Sequence, residues 1–197
     1  MGLVLALAAG NIAACGSNSD NGKEGATLTV LNYGKYIDED AVKQFEKETG
    51  IKVKYEEYES PEEMYTKYKA GSIDYDVICS SEYMVEKLIN EGEVLQMDYA
   101  GMENYKNLDP TIIDMSSAYD KDHNYSLPYF YGTLGLLYNK TEVDPSVVKS
   151  WDCLWDPTYE DEIIMENSVR DTFAPALIDL GYSLNETDET HLREALD

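Results

Sequence analysis

From Thr27 onward the chain alternates between two hydrophobic periods, and its elements follow from them. Residues 27–32, TLTVLN, are β-branched and apolar and predict a strand, whereas Asp38–Thr49 places Ala41, Val42 and Phe45 on one helical face before Gly50 stops it. Residues 51–58, IKVKYEEY, alternate apolar with polar as a half-exposed strand does, and Ser60-Pro61-Glu62-Glu63 opens a helix through MYTKYKAG. DYDVIC at 74–79 predicts a third strand. Ser81–Gly92 predicts a helix with Tyr83, Val85, Leu88 and Ile89 toward the core, followed by strand-like EVLQM at 93–97. Such βαβα alternation predicts an α/β domain on a parallel sheet.

Further along, the pattern loosens. Residues 109–124 are turn-rich, and YSLPYFYGTLGLLYNK at 125–140 is a long aromatic and apolar run, expected as strands crossing to a second lobe. DPSVVKSWDCLWDP at 144–157 predicts a capped short helix, and EIIMENS at 162–168 a strand. Helices are expected from about Arg170 to Gly181 and from Thr187, as N-cap, to Leu196.

The N-terminus has a different character. LVLALAAGNIAA at 3–14 is apolar and small but too short to span a bilayer core of ~30 Å, and it runs directly into Cys15. Ile12-Ala13-Ala14-Cys15-Gly16 resembles the lipobox of bacterial lipoproteins, in which the cysteine sulfur receives a diacylglycerol. No Lys or Arg precedes the apolar run, so the charged start of a signal peptide is expected upstream of the given Met1. GSNSDNGKEGA at 16–26 has the composition of a flexible tether. A signal-peptide remnant at 1–14 and a lipid-anchored linker at 15–26 are therefore expected.

Charge narrows the partners. Fifteen Lys and Arg against 39 Asp and Glu give a net charge of −24, which argues against nucleic acid and is compatible with a cationic ligand. There is no Gly-x-Ser-x-Gly elbow, phosphate-binding glycine loop or His-Glu-x-x-His in the sequence, so no enzyme, cofactor or metal is expected. The spacing of Cys79 and Cys153 suggests no metal site, and export permits a disulfide without implying one.

In open α/β sheets, ligands lie beyond the carboxyl ends of the strands. The first strand ends in Tyr33-Gly34-Lys35-Tyr36 and the third in Ser80-Ser81-Glu82-Tyr83, which would gather three tyrosines, two hydroxyls and a carboxylate into a binding wall. Tyrosine faces attract an ammonium group and also cover a methylene chain. With 17 tyrosines in the chain a single ring is more often a half-buried surface residue, and strand-end position is what singles out Tyr33, Tyr36 and Tyr83. Tyr129, Phe130 and Tyr131 either line a cleft or pack the lobes.

These residues carry a resemblance. The runs LNYGKYIDEDAVKQFEKETGIKVKYEEYESPEEMYTKYKAG, YDVICSSEYMVEKLINEGEV, NLDP, YSLPYFYGTLGLLYNK, SWDCLWDPTYED and RDTFAPALIDLGYSLNETD together resemble the spermidine/putrescine-binding proteins of bacterial polyamine ABC importers. The resemblance implies a two-lobed, periplasmic-binding-protein-like (type II) α/β fold, with a first lobe at 27–137 and a crossover and partial second lobe at 138–197. It also implies closure on putrescine or spermidine and delivery to an ABC permease. By position it implies ligand contacts at Tyr33, where the family commonly has tryptophan, and at Tyr36, Ser81 and Tyr83, with Glu82 beside them. Lys35 stands where an acid is common. In the second lobe Asp171 matches a family carboxylate, and Ser168 holds the position of another. The family normally continues well beyond this length, so the chain is expected to be the N-terminal portion of a longer product.

Overall fold

The computed structural model describes residues 25–197, so Cys15 and most of its expected tether lie outside the described residues. β1 (Thr27–Tyr33) lies between β2 (Lys52–Tyr58) and β3 (Val77–Ile78), all parallel, in the order β2-β1-β3. Parallel neighbours need crossovers, and α1 (Glu39–Thr49) and α2 (Pro61–Lys69) supply them, with α3 (Glu82–Asn90) following β3. The central strand has partners on both edges, which is why Leu31 and Asn32 are buried there. Leu31 joins Tyr58, Met64, Met84 and Leu88 in the core, each large apolar side chain contributing roughly 1.5–3 kcal/mol by leaving water.

Side chains mark where these helices begin and end. Asp38 accepts from the Asp40 N–H at 2.9 Å to cap α1, and Gly50 ends that helix at φ 70°, a left-handed conformation that a side chain disfavours. Ser60 accepts from the Glu63 N–H at 3.2 Å to cap α2, with Pro61 in its first turn. Glu46 of α1 accepts from the Val53 N–H at 2.8 Å, satisfying the outer edge of β2.

Several elements differ from expectation. β3 is shorter than 74–79 because Asp76 takes over the ladder: its N–H donates to the Thr29 carbonyl at 2.9 Å and its carboxylate accepts from the Thr29 N–H at 2.8 Å. The turn-rich segment contains a helix, α4 (Pro110–Ser116), started by Asp109 accepting from the Thr111 N–H at 2.8 Å. Residues 144–157 form a 3-10 turn at Trp151–Trp155 rather than an α-helix. Residues 93–97, 125–140 and 162–168 form no strands, since among the described residues no strand lies beside them and β-propensity is realised only against a partner. Leu137 and Ile164 are accordingly exposed.

α5 (Val169–Asp179) buries Ala174, Pro175, Ala176 and Leu177 and packs on α6 (Glu189–Leu196) and the 151–155 turn. Asp188, rather than Thr187, caps α6, accepting from the Thr190 N–H at 2.8 Å.

Candidate functional site

With strand order 2-1-3 the winding of the parallel sheet reverses between β1 and β3, and it is beyond the carboxyl ends at such a switch point that open α/β sheets hold their ligands in a crevice. The strand ends explain the side chains found there. β3 pairs only as far as Leu31, so the Tyr33 N–H on that edge finds no strand and donates to the Asn32 Oδ1 at 2.7 Å. On the other edge Gly34 still donates to the Tyr58 carbonyl at 3.0 Å. The left-handed residue of the turn is Lys35, at φ 58°, not Gly34, and its N–H donates to Glu57 Oε1 at 3.1 Å.

Tyr33 is thereby held with its ring between two others. Its centroid is 4.5 Å from that of Tyr58 and 5.4 Å from that of Tyr36, and Tyr36 meets Phe130 edge-on at 5.0 Å. Tyr129 completes the row, 5.9 Å from Tyr36 by centroid, with its hydroxyl donating to the Tyr36 carbonyl at 2.8 Å. At the buried end the Tyr58 hydroxyl donates to the Cys79 carbonyl at 2.5 Å, tying the row to the end of β3.

Ser81 occupies the N-cap position of α3 yet makes no side-chain cap bond, because its hydroxyl lies 2.7 Å from that of Tyr33. Tyr83, in the first turn, donates to Glu62 Oε1 at 3.0 Å, and the Arg170 guanidinium lies over its ring at 5.0 Å. Glu82 is exposed, and its charge is felt at Tyr119. From the far side, Ser168 caps α5 by accepting from the Asp171 N–H at 3.4 Å. Asp171 is near enough for its charge to raise the Tyr83 phenol, and it also borders a groove of about 790 Å³ lined by Leu134–Tyr138 and Ile163–Met165.

The structure therefore brings Tyr33, Tyr36, Ser81 and Tyr83 together, with Asp171 at the border and Ser168 occupied as a cap. Glu82 stands apart on the exposed face. Sequence reasoning did not single out Tyr58 or Arg170 and left Tyr129 and Phe130 undecided. Tyr129 reaches Tyr36 across 93 residues, a contact with no local signal.

Burial raises the phenols of Tyr33, Tyr58 and Tyr83, so all three are neutral rings near pH 7. Burial also pushes the Cys79 thiol up to about 11, which leaves it protonated and a poor nucleophile. Cys79 and Cys153 are both free thiols. Among the described residues no three or more His, Cys, Asp or Glu side chains converge as a metal-ion group. Neutral π faces, hydroxyls and a bordering carboxylate suit an organic cation with an apolar stem.

Known proteins share this fold. The profile of the bacterial extracellular solute-binding proteins matches residues 40–197. The chain is similar to the spermidine/putrescine-binding periplasmic protein of Salmonella typhimurium, 37% identical over 96% of this chain and 54% of the relative. It is also similar to the solved structure of a putative spermidine/putrescine ABC transporter from Listeria monocytogenes, at TM-score 0.80 and 39% identity, covering 87% of this chain and 52% of that one. A lipoprotein of Treponema pallidum superposes at TM-score 0.77 with 27% identity, over 86% of this chain and 52% of that one. The chain thus spans about half the length of the curated relatives it matches. Over that half its α/β fold is periplasmic-binding-protein-like, as the sequence predicts. The chain belongs to the bacterial extracellular solute-binding protein family.

Proposed function

We propose that this protein is an extracytoplasmic binding protein for polyamines, putrescine or spermidine, which hands its ligand to an ABC permease. The observation that carries the reading is the row of rings from Tyr58 through Tyr33 and Tyr36 to Phe130, joined to Ser81 at the β1/β3 crevice. An alkyl diamine fits such a wall: each ammonium gains ~0.5 to ~2 kcal/mol over a ring face, and the methylenes between cover the rings. Tyr33, Tyr36 and Tyr83 supply the faces, Ser81 a hydroxyl, and Asp171 a carboxylate from the other side. Ser168 stands at the rim as the cap of α5, and Glu82 takes no part. In this reading residues 27–137 form one lobe, residues 138–197 begin the second, and closure between them desolvates the cation beside Asp171, where a charge pair is stronger than in water.

Support for polyamine as the ligand comes from the names of the relatives. The Salmonella protein is a spermidine/putrescine-binding periplasmic protein and the Listeria structure a putative spermidine/putrescine ABC transporter. The Treponema structure is a lipoprotein, which supports a diacylglyceryl anchor at Cys15 in this chain and a place on the outer side of the cell membrane. Both signals, cleavage and lipidation, come from the IAAC run.

A thermal-shift panel of putrescine, spermidine, a neutral sugar and ferric citrate tests the reading, because a ligand bound only to the native state raises its melting temperature. Putrescine or spermidine should give a concentration-dependent rise and the others none. A rise with sugar or ferric citrate and none with either polyamine would overturn it.

A further inference from the structure

A second hollow, of about 360 Å³, lies between α3 and the turn that follows α4. Glu86, Ile89 and Asn90 line one side, and their spacing of three and four residues puts them on one face of α3. Residues 117–122 and Tyr125 line the other side. That turn is held in place by Asp120, whose N–H donates to the Ser116 carbonyl at 2.9 Å and whose carbonyl accepts from the His123 N–H at 2.9 Å. Its carboxylate in turn holds the N–H groups of Asn124, Tyr125 and Ser126. The Tyr125 hydroxyl accepts from Gln96 Nε2 at 3.2 Å, and Tyr119 is half-buried, with burial keeping its phenol neutral.

The hollow is negative. All four donors to the Asp120 carboxylate are neutral N–H and O–H groups, so this buried side chain is satisfied without its charge being cancelled. Glu86 and Asp122 add exposed carboxylates against one lining cation, Lys121, and none of these three forms a salt bridge among the described residues. Lys87, the next residue of α3, is committed to Glu91 at 2.7 Å. Glu82 precedes Glu86 by one turn on the same helix face, and its charge reaches Tyr119.

We propose that this hollow binds a small organic ammonium ion, at a site separate from the strand-end crevice. A concave surface lined by one sign of charge against low-dielectric walls concentrates counter-ions, and here the walls also carry two tyrosines. The ammonium gains from Glu86, Asp122 and the field of Asp120, while its alkyl stem covers Ile89 and Ala118. The carboxylates do not converge as a metal-ion group among the described residues, so an extended cation uses them better than a point charge does. Lys121 competes for the same carboxylates. Exposed ion pairs contribute little apiece, so binding is weak, with a dissociation constant of about 1 mM. The site does not rest on what the crevice binds, and it gives Glu82 a neighbourhood that the crevice does not.

An NMR titration of putrescine into the full protein tests this, because backbone amides report each site through its own residues. Amides at 86–90 and 117–125 should shift saturably with a dissociation constant of about 1 mM, and sodium chloride at matched ionic strength should not reproduce the shifts. Glu86→Gln should weaken this binding by about threefold and Lys121→Gln should tighten it by about threefold. Both side chains are exposed, so neither substitution disturbs the core. No saturable shift at these amides, the same shifts with sodium chloride, or a constant unchanged in both variants would overturn the proposal. Shifts at Tyr33 and Tyr36 report the crevice independently, so failure of one site is distinguishable from failure of the other.

Discussion

The Tyr33 and Ser81 hydroxyls lie 2.7 Å apart, and this hydrogen bond joins the carboxyl end of β1 to the first turn of α3. Ser81 forgoes capping its own helix to make it, so the bond serves the crevice at the expense of the helix terminus. Tyr33→Phe frees the Ser81 hydroxyl to cap α3. Stability should change by less than about 0.5 kcal/mol while putrescine affinity falls by about 0.5 to 1.5 kcal/mol. Urea unfolding and calorimetry measure the two. A clear stability loss with unchanged affinity would assign the bond to the scaffold.

Tyr36 and Phe130 touch edge-on and form one surface from residues far apart in the chain. Tyr36→Ala and Phe130→Ala should each weaken putrescine binding by about 0.5 to 2 kcal/mol. Because the rings support each other, the double variant should lose less than the sum. Strict additivity would mean that they act separately.

Ser168 caps α5 and also stands where the resembling family has an acid. Aspartate is as good an N-cap as serine, so Ser168→Asp should keep stability within about 0.5 kcal/mol while adding a carboxylate at the crevice. Putrescine affinity should rise severalfold. Ser168→Ala should instead cost ~1 kcal/mol of stability by removing the cap. A loss of affinity in Ser168→Asp would place the position outside the crevice.

Asp120 is 2% exposed, and its carboxylate accepts four hydrogen bonds, from the N–H groups of Asn124, Tyr125 and Ser126 and from the Ser126 hydroxyl. Burial pushes its carboxyl up, but these bonds outweigh burial and hold it below the ordinary value. A carboxyl depressed in the folded state contributes stability above its unfolded pKa of ~3.9 and loses it as pH falls through the folded value. The protein should therefore lose stability from about pH 4 downward. Asp120→Ala should cost roughly 3 kcal/mol at neutral pH by stranding buried N–H groups, and it should flatten that acid limb. Thermal melts across pH would show both.

The alternation of strand and helix through α3 was legible because each element carries its own period and caps, such as Asp38 and Gly50 around α1 and Ser60-Pro61 before α2. The strand ends were legible for the same reason, which is how Tyr33, Tyr36, Ser81 and Tyr83 could be named together. Tyr129, Phe130 and Arg170 reach the same crevice from distant segments through contacts that no local pattern encodes. The runs at 93–97, 125–140 and 162–168 read as strands because side-chain pattern signals a pleated surface whether or not a partner lies alongside. Short helices such as α4 hid inside a turn-rich composition whose Asp109-Pro110 pair is also a helix start.

The central claim is that the rings beyond β1 and β3 hold the ligand, and a crystal structure of the protein grown with putrescine tests it most directly. The account predicts an ammonium within about 6 Å of the Tyr33 or Tyr36 ring centroid and the alkyl chain along the row. Putrescine found instead in the groove between Leu134–Tyr138 and Ile163–Met165, with the tyrosine faces bare, would contradict it.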